Sequence, residues 1–314
     1  MATLRFEPIA TELGKTATPA LLFPPEVVAS IEKSELPGEA DPAWSSEVRD
    51  FMAHQLAVAG AAQLLLGAPA FEGLGRLQDE IESEYEPSAP PQSPIYDSYA
   101  LQHLLAEVPR GPAGETPYSV LARLSAGDPA RARLAALAQS LAASRMELYR
   151  VERAAGYEGV LLPLRGGEAQ TVSLTGPFLE AGDRVLGRAV PFGGRVFMAD
   201  SPYLLDASEA DWLGYFERVV AIDAASREGA PRAASKAGPK LSAKRAAQQR
   251  KLEQQRAARH APHEVVSRHL RFGQTERFWL EFFMESYSGE RRGLARLAGV
   301  PDRLERLAEP DVNE

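Results

Sequence analysis

The chain has 314 residues and a net charge of -8; 45% of it is hydrophobic and 25% charged, ordinary values for one large globular domain or two modest ones. It contains no cysteine, which excludes disulfides, thiolate metal sites and a cysteine nucleophile. The first fifteen residues lack the basic stretch and apolar run of a secretory signal. The most apolar stretch, 56–70, carries Gln63 and two glycines and is too short to cross a membrane, so a cytoplasmic protein without membrane contact is expected.

Residues 1–44 interleave short apolar patches with prolines and read as an irregular lead-in, with one short helix from Glu26 to Lys33. From Ser45 the pattern turns helical. Val48, Phe51, Met52, Leu56 and Ala59 recur at three- and four-residue spacing, Ser45 or Ser46 offers an N-cap, and Gly67–Pro69 ends the run. A second amphipathic helix, 70–85, shows Phe71, Leu74, Leu77 and Ile81 on one face and finishes in a run of carboxylates. After a proline loop come helices at 96–105, after Thr116-Pro117, and after Asp128-Pro129, the last two announced by a capping residue followed by proline.

The hydrophobic period then falls from about 3.6 to 2. Five short segments, 146–153, 157–164, 171–174, 184–191 and 193–199, are separated by glycine turns at Gly156, Gly166-Gly167, Gly182-Asp183 and Gly193-Gly194. They predict a small antiparallel sheet or barrel over 146–200. A helix follows at 206–222, with Trp212, Phe216 and Val219 on its core side.

Between Arg227 and Arg277 stand thirteen Lys or Arg against four Glu, a local charge of +9 that leaves -17 on the rest of the chain. Residues 226–262 read as a basic flexible linker and helix: 227–239 is rich in Gly, Ala, Ser, Pro and Lys, and 241–259 is built of helix formers with almost no apolar stripe. Residues 263–314 read as a group of short helices, at 263–270, 274–287, 290–297 and 302–307. The fold expected is therefore α+β, with a helical N-terminal half, a β unit inside a domain spanning 45–225, and a helical C-terminal piece after a basic linker. Trypsin should cut first within 227–259 and leave a folded fragment ending near residue 225.

The stretch from Asp97 to Leu205 carries DSYALQHLL, GETPYSVL, LAASRMELYRVERA and a closing Leu179, Gly182, Asp183, Leu186, Gly187 and Arg188 in the pattern L-x-x-G-D-x-x-L-G-R. In that outline it resembles a family of uncharacterised bacterial proteins often joined to a SEC-C motif. The resemblance implies an architecture and a cytoplasmic bacterial origin, and no chemistry. Two departures limit it: the SEC-C element holds zinc through cysteines this chain lacks, and Pro163-Leu164-Arg165 stand where the family has an acidic pair.

No catalytic constellation emerges from the motifs. His260, His263 and His269 cluster near Glu264, but histidines six apart lie on different helix faces and cannot meet one metal. The carboxylates of 79–86 form a run on a solvated face, and no serine sits in a Gly-x-Ser-x-Gly elbow. Neither a metal, a cofactor nor an enzymatic activity is expected. Two binding features stand out. Lys240, Lys244, Arg245, Arg250 and Lys251 could contact phosphates, although the segment has no aromatics that would stack on bases. Phe278, Trp279, Phe282, Phe283 and Tyr287 form one wide apolar face, which either docks on the body from across the linker or meets a partner. The reading is a non-enzymatic adaptor or scaffold for an unknown protein partner; the alternative is a nucleic-acid-associated protein using 236–271 as an electrostatic arm.

Overall fold

Ser45 starts the longest helix of the N-terminal half: its Oγ accepts the Val48 N–H at 3.3 Å, and the helix runs Ser46–Leu66 before Gly67 stops it. The structure, a computed structural model, describes residues 8–15, 17–33, 36, 41–85, 99, 101–111, 113–229, 247, 250–251, 254–255, 257–273 and 277–301. Their helices are α1 (Ile9–Leu13), α2 (Pro19–Leu22), α3 (Pro25–Glu32), α4 (Ser46–Leu66), α5 (Glu72–Tyr85), α6 (Leu101–Ala106), α7 (Pro117–Ser125), α8 (Ala132–Ala143), α9 (Glu209–Gly229), α10 (Pro262–Phe272) and α11 (Phe278–Ser286). The strands are β1 (Glu147–Ala155), β2 (Glu158–Pro163), β3 (Gln170–Ser173), β4 (Arg184–Gly187), β5 (Ala189–Phe192), β6 (Arg195–Met198), β7 (Tyr203–Leu205), β8 (Tyr287–Arg291) and β9 (Leu294–Leu297). The α+β class is as expected, and Thr116 builds a capping box with Ser119 that opens α7.

All nine strands form one mixed sheet in the order β5-β6-β3-β2-β1-β4-β7-β9-β8, antiparallel except for β3/β6 and β7/β9. The segment read as one strand over 184–191 is broken at Arg188. Its first half, β4, pairs with β1; its second half, β5, pairs with β6 at the far end of the path. The sheet therefore curls until its first and sixth strands are joined through a single residue. Gly187 permits that corner: a Cβ there would lie 2.7 Å from Met198 Sδ and 3.2 Å from Pro202 Cβ.

Alternation along the strands feeds two cores. Tyr149, Val151, Val185, Met198 and Leu204 line the inside of the curl with Leu161, Val172 and Leu294. Their neighbours Leu148, Leu186, Phe197, Tyr203 and Leu205 face the other way, into the core shared with the helices. Both faces of the curl are thus apolar, and the helical half is the layer that covers the outer one.

Two expected regions differ from the structure. The lead-in holds more than the one helix expected at 26–33, which is α3: α1 and α2 precede it, and the three segments bury Ile9, Leu22, Phe23 and Ile31 in the common core. The buried Glu115 carboxylate accepts the Ile9 N–H at 2.6 Å at the start of α1, and Arg131 donates to the Phe23 carbonyl at 2.7 and 3.0 Å. The C-terminal piece is not all helix: residues 287–297, expected to carry a helix at 290–297, form the β8–β9 hairpin that extends the sheet beyond β7. Arg292 and Gly293 turn it, both with positive φ (57° and 75°), the geometry of the two-residue hairpin turn that suits strand twist. Arg292 also reaches Asp183 and Glu180, which anchors the turn and accounts for a non-glycine residue in that conformation. The expected helix at 302–307 lies outside the described residues.

Candidate functional site

The basic segment and the aromatic face, neighbours in sequence, have opposite fates. Of the five cations singled out, Lys240, Lys244 and Arg245 lie outside the described residues, while Arg250 and Lys251 are exposed on helical backbone, as is Arg259. A turn at His260–Ala261 separates this helix from α10, and Asp223 on α9 holds the junction: it pairs with Arg227, with Arg268 at 3.3 Å and with His260 at 4.0 Å. α10 is then clamped to the body. Arg165 binds Glu147 through two nitrogens and donates to Ser267 Oγ at 3.0 Å and to the His263 carbonyl at 3.3 Å. Arg271 donates to the Ala142 carbonyl at 2.8 Å, placing a cation at the negative end of α8.

The aromatic residues are not a free partner surface. Phe278, Trp279, Phe282 and Phe283 are buried in the chain's own core, and Tyr287 is half-buried at the start of β8. Phe283 stacks on Tyr99 and meets Tyr203 edge-on, Phe282 packs edge-on to Trp212, and the Trp279 indole N–H donates to the His269 carbonyl at 2.8 Å. The correction has a simple cause. A helix apolar on two adjacent stripes can be covered from both sides only inside a core, and α9 and the sheet provide those sides.

His269, expected on a solvated basic stretch, is buried and bonded through Nε2 to the Tyr215 hydroxyl. Burial pushes its pKa down to about 3, so the ring is neutral, and its tautomer sets which of the two groups donates. His263 stays exposed. Among the described residues no three His, Asp or Glu side chains gather as a metal site.

A second polar cluster was not foreseen. His103 and Glu107, neither singled out in the sequence, are fully enclosed where α6 meets the corner of the curl. Arg188, the residue that breaks β4 from β5, turns its guanidinium inward to Glu107 Oε1 and donates to Ser144 Oγ at 3.1 Å. His103 Nδ1 lies 3.4 Å from Glu107 Oε2, and the Tyr99 hydroxyl has no hydrogen-bond partner among the described residues. Burial raises the Glu107 pKa, but Arg188 and then His103 more than offset it, so the carboxyl titrates below its ordinary value. Asp200, beside this cluster and bonded weakly to Gln55 Nε2 at 3.5 Å, is the reverse: desolvation against the core lifts its pKa to about 6 despite Arg188. The available signal was the i,i+4 spacing of His103 and Glu107 on a helix; nothing local pairs either with Arg188 across 81 positions.

The cluster is a structural ion pair with little room: it fastens the helical layer to the one corner where the sheet changes direction. A groove of about 470 Å³ opens elsewhere among the described residues, between α8 and β5, and continues into one of about 320 Å³. No protein-family model, curated protein or solved structure matches the chain.

Proposed function

We propose that the protein is a non-enzymatic adaptor: a single packed body that presents the basic helical segment up to Arg259 as its contact element for an acidic protein partner. The observation that supports this reading is the exposure of Arg250, Lys251 and Arg259 on helical backbone, in a segment whose sequence has almost no apolar stripe, beside an aromatic helix already consumed by the core. Charge is then the only chemistry the segment offers. The -17 on the rest of the chain repels any acidic surface from approaches other than the segment itself, which confines the contact to a small area, as a compact protein partner requires.

The second reading, nucleic-acid association through 236–271, draws on the same exposed cations. The two separate on a photo-crosslinking amino acid placed at Gln254. Protein adducts that survive nuclease, and that vanish when Lys240, Lys244, Arg245, Arg250 and Lys251 become glutamine, support the adaptor. Adducts that disappear with nuclease, together with duplex affinity falling steeply with salt, support the second reading. Loss of neither, with no adduct from either source, contradicts both. The resemblance of 97–205 to SEC-C-associated bacterial proteins and a cytoplasmic location are part of the same proposal.

A further inference from the structure

The free edge of β5 lies along the larger groove. In the β5–β6 pair the Arg188 carbonyl accepts from the Ala199 N–H at 2.9 Å, and Val190 pairs with Phe197 and Phe192 with Arg195 across the Gly193-Gly194 turn. Alternation of hydrogen-bonded and non-bonded pairs therefore turns the backbone groups of Ala189 and Pro191 away from β6. Among the described residues no strand pairs there, because β5 ends the sheet order. Pro191 contributes no donor, so the edge offers one N–H and two carbonyls. Proline suits this position, since no described strand calls on its missing N–H.

The walls of the groove complement a particular occupant. Ser140 of α8, Ser144 just after it and Arg145 line it together with Ala189, Pro191 and Tyr149. Glu147, the carboxylate nearest Arg145, is bonded twice by Arg165 and stands 3.9 Å from Arg145. Arg145, 45% exposed, and Arg165 share the one Glu147 carboxylate, which leaves one positive charge in excess beside the groove. The other guanidinium, Arg133 at the far end, is engaged by Asp50 and lies over the Phe192 ring.

We infer that this seam binds a short extended peptide carrying an acidic side chain. Its backbone pairs with Ala189 and Pro191 as a strand added to the curl, and its carboxylate meets Arg145. Strand addition supplies affinity through main-chain bonds, and the side-chain contact supplies choice of sequence. The inference deepens the adaptor reading by naming a second partner contact, independent of the basic helix.

The test uses the full chain labelled with ¹⁵N and three capped pentapeptides: Thr-Val-Glu-Val-Thr, its Lys counterpart, and the Glu peptide with alternate backbone nitrogens methylated. The expected result is a shift of the Ala189 amide with the Glu peptide, weaker binding of the Lys peptide and none of the methylated one. The variant R145Q, at a half-exposed position, should weaken the Glu peptide about fivefold, as an accessible ion pair allows. An Ala189 amide unmoved at millimolar peptide, equal binding of the Glu and Lys peptides, or undiminished binding of the methylated peptide would each overturn the inference. Failure here with nuclease-resistant adducts still forming at Gln254 leaves the adaptor reading standing. Peptide binding without those adducts does the opposite.

Discussion

The basic helix before His260 and the aromatic helix α11 lie within thirty residues of each other, yet one lies against solvent and the other against the core. The sequence marks both as unusual. What separates them is whether an apolar stripe exists: α11 has a double one and is consumed by Tyr99, Tyr203 and Trp212, while the basic helix has none and gains nothing by docking. A conspicuous hydrophobic face in a chain that must also cover a two-faced sheet is more informative about the core than about partners. A conspicuous charged face without a stripe points outward.

The comparison breaks most readily at α11. Trp279→Ala removes a buried indole and its bond to the His269 carbonyl, and should cost about 4 kcal/mol in chemical denaturation. A loss below about 1 kcal/mol would show that α11 is only loosely held. Glu107→Ala should cost about 3 kcal/mol, because it strands the buried Arg188 without its counterion. Replacing the pair with Leu and Met together should recover part of that loss.

Asp200 gives a smaller effect with a definite sign. Its folded pKa of about 6 lies above its ordinary 3.8, so the folded state holds the proton more tightly, and this residue's contribution to stability falls as pH rises from about 4 to 6. Asp200→Asn should raise stability at pH 7 by about 1 kcal/mol, a figure kept below the full two-unit shift because the side chain is partly exposed. The same substitution should flatten the stability profile between pH 4 and 6; an unchanged profile would mean that the carboxylate is solvated. Smallest of all, Arg250→Gln with Lys251→Gln should alter stability by no more than about 0.5 kcal/mol, since both side chains are exposed. A larger melting shift would place the basic helix on the body.

Much of the helical half was legible because its signals are local: a serine three residues before the N–H it caps, a Thr-Pro start, a three-and-four apolar rhythm. The strands from 147 to 198 were legible for the same reason, through period-2 alternation between glycine turns. The β8–β9 hairpin was not. Ser288, Gly289, Glu290 and Arg291 carry little β-propensity, and they are strand because Leu294 and Leu297 enter the two cores and β9 pairs with β7. In the lead-in the helix at 26–33 was legible, but α1 and α2 were not, because they are held by distant partners, Glu115 and Arg131. The break at Arg188 was invisible for a related reason. A buried cation inside an apolar run makes sense only once Glu107, 81 residues away, is beside it.

The hairpin also alters what cleavage should do. A cut in the basic segment was expected to release a folded fragment ending near residue 225, but the structure gives Leu294 to the inner core and α11 to the outer one. Limited trypsin digestion followed by size exclusion without denaturant is the most direct check. The account predicts cuts within 227–259, two bands under denaturing conditions, and one native peak at the size of the intact chain that melts in one transition. A separated, independently folded fragment ending near residue 225 would contradict it.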